Sequence, residues 1–270
     1  VIAECAEELA RSYDIDAIGI GAAGFVDGAR SSVIFAPNLA WRNEPLAARV
    51  SEKTGYRVVV ENDANAAAWA EFRFGAAKGS KSAVIVTVGT GIGGGVIINN
   101  QLLRGTNGFG AEIGHINMVP HGRQCGCGRY GCWEVYSSGN ALVREAQEFA
   151  RTAPEDSAML LDFAGGSPEG ITGPMVTRAA ELGDAVALAC FKSIGYWMGS
   201  GMADLAAVLD PDVFVLAGGV AETGDLLLGP TRKSFAELLT AADHRPTIPV
   251  SVATLGNDAG IIGAADLARY

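Results

Sequence analysis

The sequence contains no apolar run of the roughly 18–20 residues that a membrane-crossing helix requires, and it is short of positive charge. Its 20 lysines and arginines face 30 aspartates and glutamates, for a formal net charge of −10. That balance presents no basic footprint to nucleic acid or to an anionic membrane, so neither is expected as a partner. No G-x-x-x-x-G-K-S/T string occurs, which excludes a P-loop. Residues 1–11 carry apolar positions at helical spacing and no signal-peptide pattern. Cysteine is scarce at five residues and histidine scarcer at three. The expected address is therefore a reducing cytoplasm. Apolar residues, at 49%, and glycines, at 36, are plentiful. This is the composition of a compact α/β protein with one large domain or two ordinary ones.

Four of the scarce residues stand together. His115, Cys125, Cys127 and Cys132 lie in EIGHINMVPHGRQCGCGRYGCWE (112–134), spaced H-x9-C-x-C-x4-C. Thiolate and neutral imidazole suit a tetrahedral Zn²⁺, and Gly126, Gly128 and Gly131 let the backbone turn between ligands. A disulfide pair or buried free thiols are the competing readings, but three close cysteines leave one over after pairing. The pattern predicts a closed Cys3His zinc site. It matches no zinc-finger spacing, so a metal clip inside a larger domain is expected. Cys5 and Cys190 sit in apolar helical contexts and are expected in the core.

Three other places carry chemistry. A β-branched strand at 56–60 runs into Glu61-Asn62-Asp63 and a helix at 64–74. Asn62 or Asp63 can cap that helix, while Asp63 also stands at the carboxyl end of a buried strand, where α/β sheets bind ligands. Gly89-Thr-Gly-Ile-Gly-Gly-Gly95 lies between two apolar strands and reads as a seven-residue glycine hairpin turn. Its bare N–H groups and the Thr90 hydroxyl can form a phosphate nest, against the plainer reading of a flexible hairpin. Val213–Ala217 is a buried strand entering Gly218-Gly219, a second possible nucleotide contact. Gly19–Gly24 satisfies G-x-G-x-x-G, but the next residues are broken by Asp27 and Gly28 rather than helical, so a dinucleotide loop is not expected. Asn38 follows a short strand, either as an ordinary turn residue or as a reader of a ligand hydroxyl. The long helix expected at 185–209 carries Gly195, Gly199 and Gly201, which would allow close helix or subunit packing, so a homo-oligomer (dimer or tetramer) is expected.

PNLAW at 37–41, ENDANAAAWAE at 61–71, VGTGIGGG at 88–95, EIGH…CGCGRYGCWE at 112–134, LAGGV at 216–220 and GNDAGIIGAA at 256–265 span essentially the whole chain. Together they resemble the ROK family (repressor, open reading frame, kinase) of sugar kinases, and within it actinobacterial-type ATP-dependent glucokinases. The resemblance implies an α/β, two-domain actin/hexokinase-like (ribonuclease H-like) fold with an incomplete first sheet. Residues 1–76 with 258–270 would form the small domain, and 77–257 the large one with the zinc loop. It implies phosphorylation of the glucose 6-hydroxyl by ATP with Mg²⁺, Asp63 acting as general base. Asn38, Asn62, Asp63, Glu112, His115 and Glu134 would bind sugar; Thr90, Gly91, Gly218 and Gly219 would bind nucleotide. His115, Cys125, Cys127 and Cys132 would hold a structural Zn²⁺, with the second ring nitrogen of His115 facing the sugar.

The sequence departs from the family pattern at one point. It opens on a helix, and no D-x-G-G-T phosphate loop occurs. The chain as given is therefore expected to bind sugar better than it phosphorylates it. A non-catalytic sugar-binding ROK protein, or a kinase for mannose, fructose or an N-acetylated hexosamine, are the alternatives. A ROK repressor would need a helix-turn-helix, and the acidic balance gives no DNA footprint.

Overall fold

The computed structural model describes residues 1–36 and 39–270. Two compact units emerge: residues 1–85, 94–112 and 253–270 form the first, and 86–93 with 113–252 the second. The expected boundaries, between 76 and 77 and between 257 and 258, do not coincide with this division, because residues 77–85, 94–112 and 253–257 stay with the first unit.

The chain begins with α1 (Ile2–Ala10), β1 (Ala17–Ala22), the short strands β2 (Phe25–Val26), β3 (Val33–Phe35) and β4 (Arg42–Glu44), then α2 (Leu46–Thr54), β5 (Arg57–Asn62) and α3 (Asp63–Arg73). β1 and β5 pair in parallel as a two-stranded sheet, and β2-β3-β4 form an antiparallel meander. Val26, Val33, Ala36, Leu46, Val50 and Val60 close one core around them. As expected, no helix follows Gly19–Gly24; the chain turns straight into β2. Gly24, with φ 151°, lies where a Cβ would come within 2.4 Å of the Phe35 carbonyl. β4 is a strand the sequence does not announce, since Arg42-Asn43-Glu44 has no apolar alternation.

Next come β6 (Ala83–Val88), β7 (Ile92–Ile98) and β8 (Gln101–Leu102). The glycine turn is therefore three residues long, Gly89–Gly91, not seven. Gly95 lies in β7 because α3 packs there: a Cβ on it would sit 2.4 Å from that of Ala68. Part of the glycine run serves helix packing rather than a ligand.

The second unit adds α4 (Glu134–Ser137), α5 (Gly139–Thr152), α6 (Ala158–Phe163), α7 (Gly173–Glu181), α8 (Ala185–Leu209), β9 (Val213–Ala217), α9 (Asp225–Leu238) and β10 (Val250–Val252). The strand order is β10-β9-β6-β7-β8, and the division between units runs through β6 and β7. Asp184 caps α8, accepting from the Ala187 N–H at 2.8 Å, and Asp210 ends it in the left-handed region before Pro211. Its glycines serve packing inside the chain. A Cβ on Gly195 would meet the Pro230 ring at 2.7 Å, one on Gly199 the Phe235 nitrogen at 2.5 Å, and one on Gly201 the Trp133 indole at 2.2 Å. Close helix packing, one of the two uses expected of them, is what they serve within the chain. Cys190 is buried as expected, whereas Cys5 is exposed.

The final helix, α10 (Ala259–Leu267), returns to the first unit. A Cβ on Gly263 would fall 1.7 Å from the Ala66 carbonyl, so α10 and α3 touch backbone to backbone. Trp69 Nε1 donates to Asp266 Oδ2 at 2.8 Å across the same contact. Among the described residues no helix is long and apolar enough to cross a membrane.

Candidate active site

In the first unit, β5 delivers Asn62 and Asp63 to its carboxyl end, and α3 starts there. The cap and the acid are different residues. Asn62 Oδ1 accepts from the Asn65 N–H at 3.0 Å, and Asn62 Nδ2 donates to the Gly24 carbonyl at 3.1 Å. The Asn62 amide thus fixes the start of α3, with one N–H and one acceptor position of its side chain left over. Asp63, the first residue of α3, is left to project into solvent. Protein crowding around it raises its pKa above the ordinary carboxylate value, and the hydrogen bond from the Ala64 N–H offsets only part of this. Glu112 is exposed in the same unit. Asn38 lies outside the described residues.

In the second unit, the Gly89–Gly91 turn is strapped to the start of α5. The Gly139 and Asn140 N–H groups donate to the Gly89 and Thr90 carbonyls at 2.8 and 3.4 Å. Ser138 caps α5 through the Ala141 N–H at 3.3 Å. Gly218 has φ 88°, and a Cβ on it would meet the Val88 carbonyl at 2.7 Å, so only glycine lets β9 turn this close to β6. Around these turns lies a cavity of about 610 Å³ lined by Thr90, Asn140, Thr177, Arg178, Gly219 and Glu222, among others. Leu142, Val143, Pro174 and Val220 supply an apolar wall, the mix of one apolar face and few polar groups that suits a nucleotide. Thr90 and Gly219 thus come together. Gly91 instead faces Glu134, whose Oε2 would lie 2.4 Å from a Cβ placed on it.

The third element is the loop from His115 to Cys132. The donor atoms of His115, Cys125, Cys127 and Cys132 all lie within 4.8 Å of one another. Cys127 and Cys132 sulfurs are 3.7 Å apart, and Cys125 Sγ is 3.7 Å from His115 Nδ1. A tetrahedron with Zn–S arms of ~2.3 Å has edges of about 3.8 Å, so the donors already stand at zinc spacing. Burial pushes the Cys125 and Cys132 thiols up, so in the absence of a cation they stay protonated; a divalent cation reverses that preference. Gly131 carries the tight turn, with φ 76° and the Val119 carbonyl 1.8 Å from where a Cβ would be. Trp133, fully buried, donates to the Trp197 carbonyl at 2.7 Å, and Ser137 to that of Ile194 at 2.7 Å. α8 thereby clamps the end of the loop and fixes Glu134, whose Oε1 is 2.9 Å from Cys125 Sγ.

A family model, the ROK family, matches residues 1–270. The chain belongs to the ROK family. It is 50% identical over 268 residues to the glucokinase of Streptomyces coelicolor, covering 99% of this chain and 84% of that protein. The crystal structure of a ROK family glucokinase from Streptomyces griseus in complex with glucose and AMPPNP matches with a TM-score of 0.88 at 51% identity, covering 99% of this chain and 86% of that one. The ROK hexokinase of Thermus thermophilus matches with a TM-score of 0.80 at 36% identity, covering 99% and 84%. The fold is thus the actin/hexokinase-like α/β fold of ROK sugar kinases.

Two buried acids of the first unit are silent in the sequence. Glu71 is fully buried and accepts from the Ala76, Thr254 and Leu255 N–H groups at 2.8, 3.0 and 2.8 Å. Glu61 is 1% exposed and faces both Arg30 and Arg104. Their partners lie far along the chain, and only the repeated acids of ENDANAAAWAE hint at them.

Proposed function

We propose that the chain is an ATP-dependent glucokinase, transferring the γ-phosphoryl group of ATP to the 6-hydroxyl of glucose. The observation that carries this is the 51% identity, over 99% of the chain, with the glucose- and AMPPNP-bound ROK glucokinase. Asp63 takes the proton of the 6-hydroxyl as it attacks. Its placement at the end of β5, its access to solvent and its raised proton affinity support that role. Glu112, His115 and Glu134 hold other hydroxyls, with Asn38 and Asn62 as further contacts. Thr90, Gly91, Gly218 and Gly219 surround the nucleotide; the cavity lined by Thr90 and Gly219 supports this. Mg²⁺ on the ATP phosphates neutralises charge during transfer, so the chain's own part is chiefly to position and desolvate the reactants.

His115, Cys125, Cys127 and Cys132 hold Zn²⁺ structurally, since four protein ligands leave no open position. Nδ1 of His115 faces the cluster, which leaves Nε2 for the sugar. Free thiols and a need for ATP fit the cytoplasm. The test is a coupled assay for ADP formation with Mg·ATP and glucose, mannose, fructose or N-acetylglucosamine. Glucose-dependent ADP release, fastest with glucose, is expected. Glucose binding by calorimetry with no ADP formed would replace the kinase by a sugar-binding protein.

A further inference from the structure

Glu61 lies immediately before Asn62 and Asp63, and its carboxylate is a junction. Oε1 accepts from the Asn62 N–H at 3.0 Å and from Asn65 Nδ2 at 3.2 Å. Oε2 lies 2.8 Å from Arg104 Nε and 3.2 Å from Arg30 Nε, charge contacts without the alignment of hydrogen bonds. Arg104 is itself only 10% exposed. Its NH1 and NH2 donate to the Gly28 and Asp27 carbonyls at 3.0 and 2.9 Å. The Asp27 carboxylate in turn gathers the turn after β2, accepting from the Ser31 and Ser32 N–H groups at 2.8 and 3.1 Å.

Arg104 also opens the loop that runs to Glu112. That loop rests on β2: a Cβ on Gly108 would lie 2.3 Å from the Val26 carbonyl, and the Phe109 ring stands edge-on to Phe25 at 5.3 Å. One guanidinium therefore ties three segments together: the end of β5, the β2–β3 turn and the 104–112 loop. A buried carboxylate facing two arginines is costly to leave unmatched. Its place beside the end of β5 that carries Asp63 calls for a reason other than stability.

We propose that Glu61 and Arg104 are positioning residues for the sugar site. Through Oε1, Glu61 fixes the peptide that aims Asp63. Through Oε2, it holds Arg104, and with it the loop carrying Glu112. Base and sugar-reading loop are thereby set as one piece. This rests on the reading of Asp63 and Glu112 as sugar-site residues.

The experiment compares Glu61→Gln, Arg104→Met, Arg104→Lys and the Glu61→Gln/Arg104→Met double variant, each checked for folding by circular dichroism. Arg104→Met is expected to weaken glucose binding in calorimetry about tenfold and to speed amide exchange at residues 105–112, with KM for Mg·ATP within about twofold of the parent. Arg104→Lys, which keeps the charge, recovers part of the loss. Glu61→Gln is expected to lower kcat on the order of 10²-fold, the scale of a slightly misplaced reacting group. The double variant is expected to be no worse than the worse single, since both act through one contact. Folded variants with unchanged glucose affinity and additive losses would overturn the proposal and leave only a structural tie. The calorimetric and exchange readouts do not depend on turnover. Failure of Asp63 as base, seen as turnover retained in Asp63→Asn, is thus distinguishable from failure here.

Discussion

The carboxylate of Glu134 and the thiol of Cys125 are direct neighbours, 2.9 Å apart. Glu134 Oε1 is also 3.6 Å from His115 Nδ1. A residue proposed to read sugar thus leans on two residues proposed to hold zinc.

Zinc and sugar affinity should therefore fall together. Purified protein is expected to contain one zinc per chain by metal analysis. Cys127→Ser, at the exposed ligand, should lose it, lower the melting temperature and raise KM for glucose about tenfold or more. Zinc-free protein with unchanged glucose affinity would separate the two sites.

Asp63→Asn should lower kcat by about 10²–10⁴-fold while glucose affinity stays within about tenfold. The raised pKa of Asp63 adds a stability signature. Because the folded state binds this proton more tightly than the unfolded chain, the group favours folding below its unfolded pKa. That contribution is lost as pH rises through the folded value. At neutral pH the charged carboxylate is a burden, so Asp63→Asn should melt higher than the parent at pH 7, and the gap should close near the acid limit. The parent's kcat/KM should fall as pH drops through the same raised pKa. A variant that melts lower at pH 7 and keeps its turnover would make Asp63 a structural residue.

Glu71→Ala should cost about 2–3 kcal/mol, since it removes a fully buried carboxylate and leaves three part-buried N–H donors without their shared charged acceptor. Urea unfolding measures this, with exposed Glu52→Ala as the control expected to change nothing.

Gly201→Ala tests the clamp on the metal loop. Alanine improves helix propensity by about 1 kcal/mol, yet its methyl would strike the Trp133 indole. The expected outcome is a net loss of about 1–3 kcal/mol and faster zinc release to a chelator, because Trp133 is covalently next to Cys132. A stabilised variant with unaltered zinc release would show that Trp133 moves freely.

What could be read in advance follows from how local each signal is. Ala185–Leu209 and Val213–Ala217 take the expected bounds, because Asp184, Asp210 and Pro211 punctuate them in the chain itself. The cluster of His115, Cys125, Cys127 and Cys132 was legible for the same reason, all four lying within one loop. α9 runs from Asp225 to Leu238 with Pro230 inside it, a residue that on propensity alone argues against a helix interior. In three dimensions its ring fills the hollow that Gly195 leaves. The glycine run at 89–95 misled in a related way: a bare α-carbon in the sequence does not say whether a ligand or a helix needs the space. Glu61 and Glu71 were silent because their partners come from 43 and 183 residues away.

The attachment of α10 has a consequence for how the protein is made. Residues 253–270 belong to the first unit, yet they leave the ribosome after all of the second unit has been synthesised. Until then Glu71 lacks the Thr254 and Leu255 donors, Trp69 lacks Asp266, and the backbone of α3 lacks the helix that lies against it. The second unit can mature co-translationally, whereas the unit carrying Asp63 lacks these partners until residues 253–270 have been added. Nascent chains stalled before residue 253 should therefore hold a structured His115–Cys132 loop and an unstructured segment around Asp63.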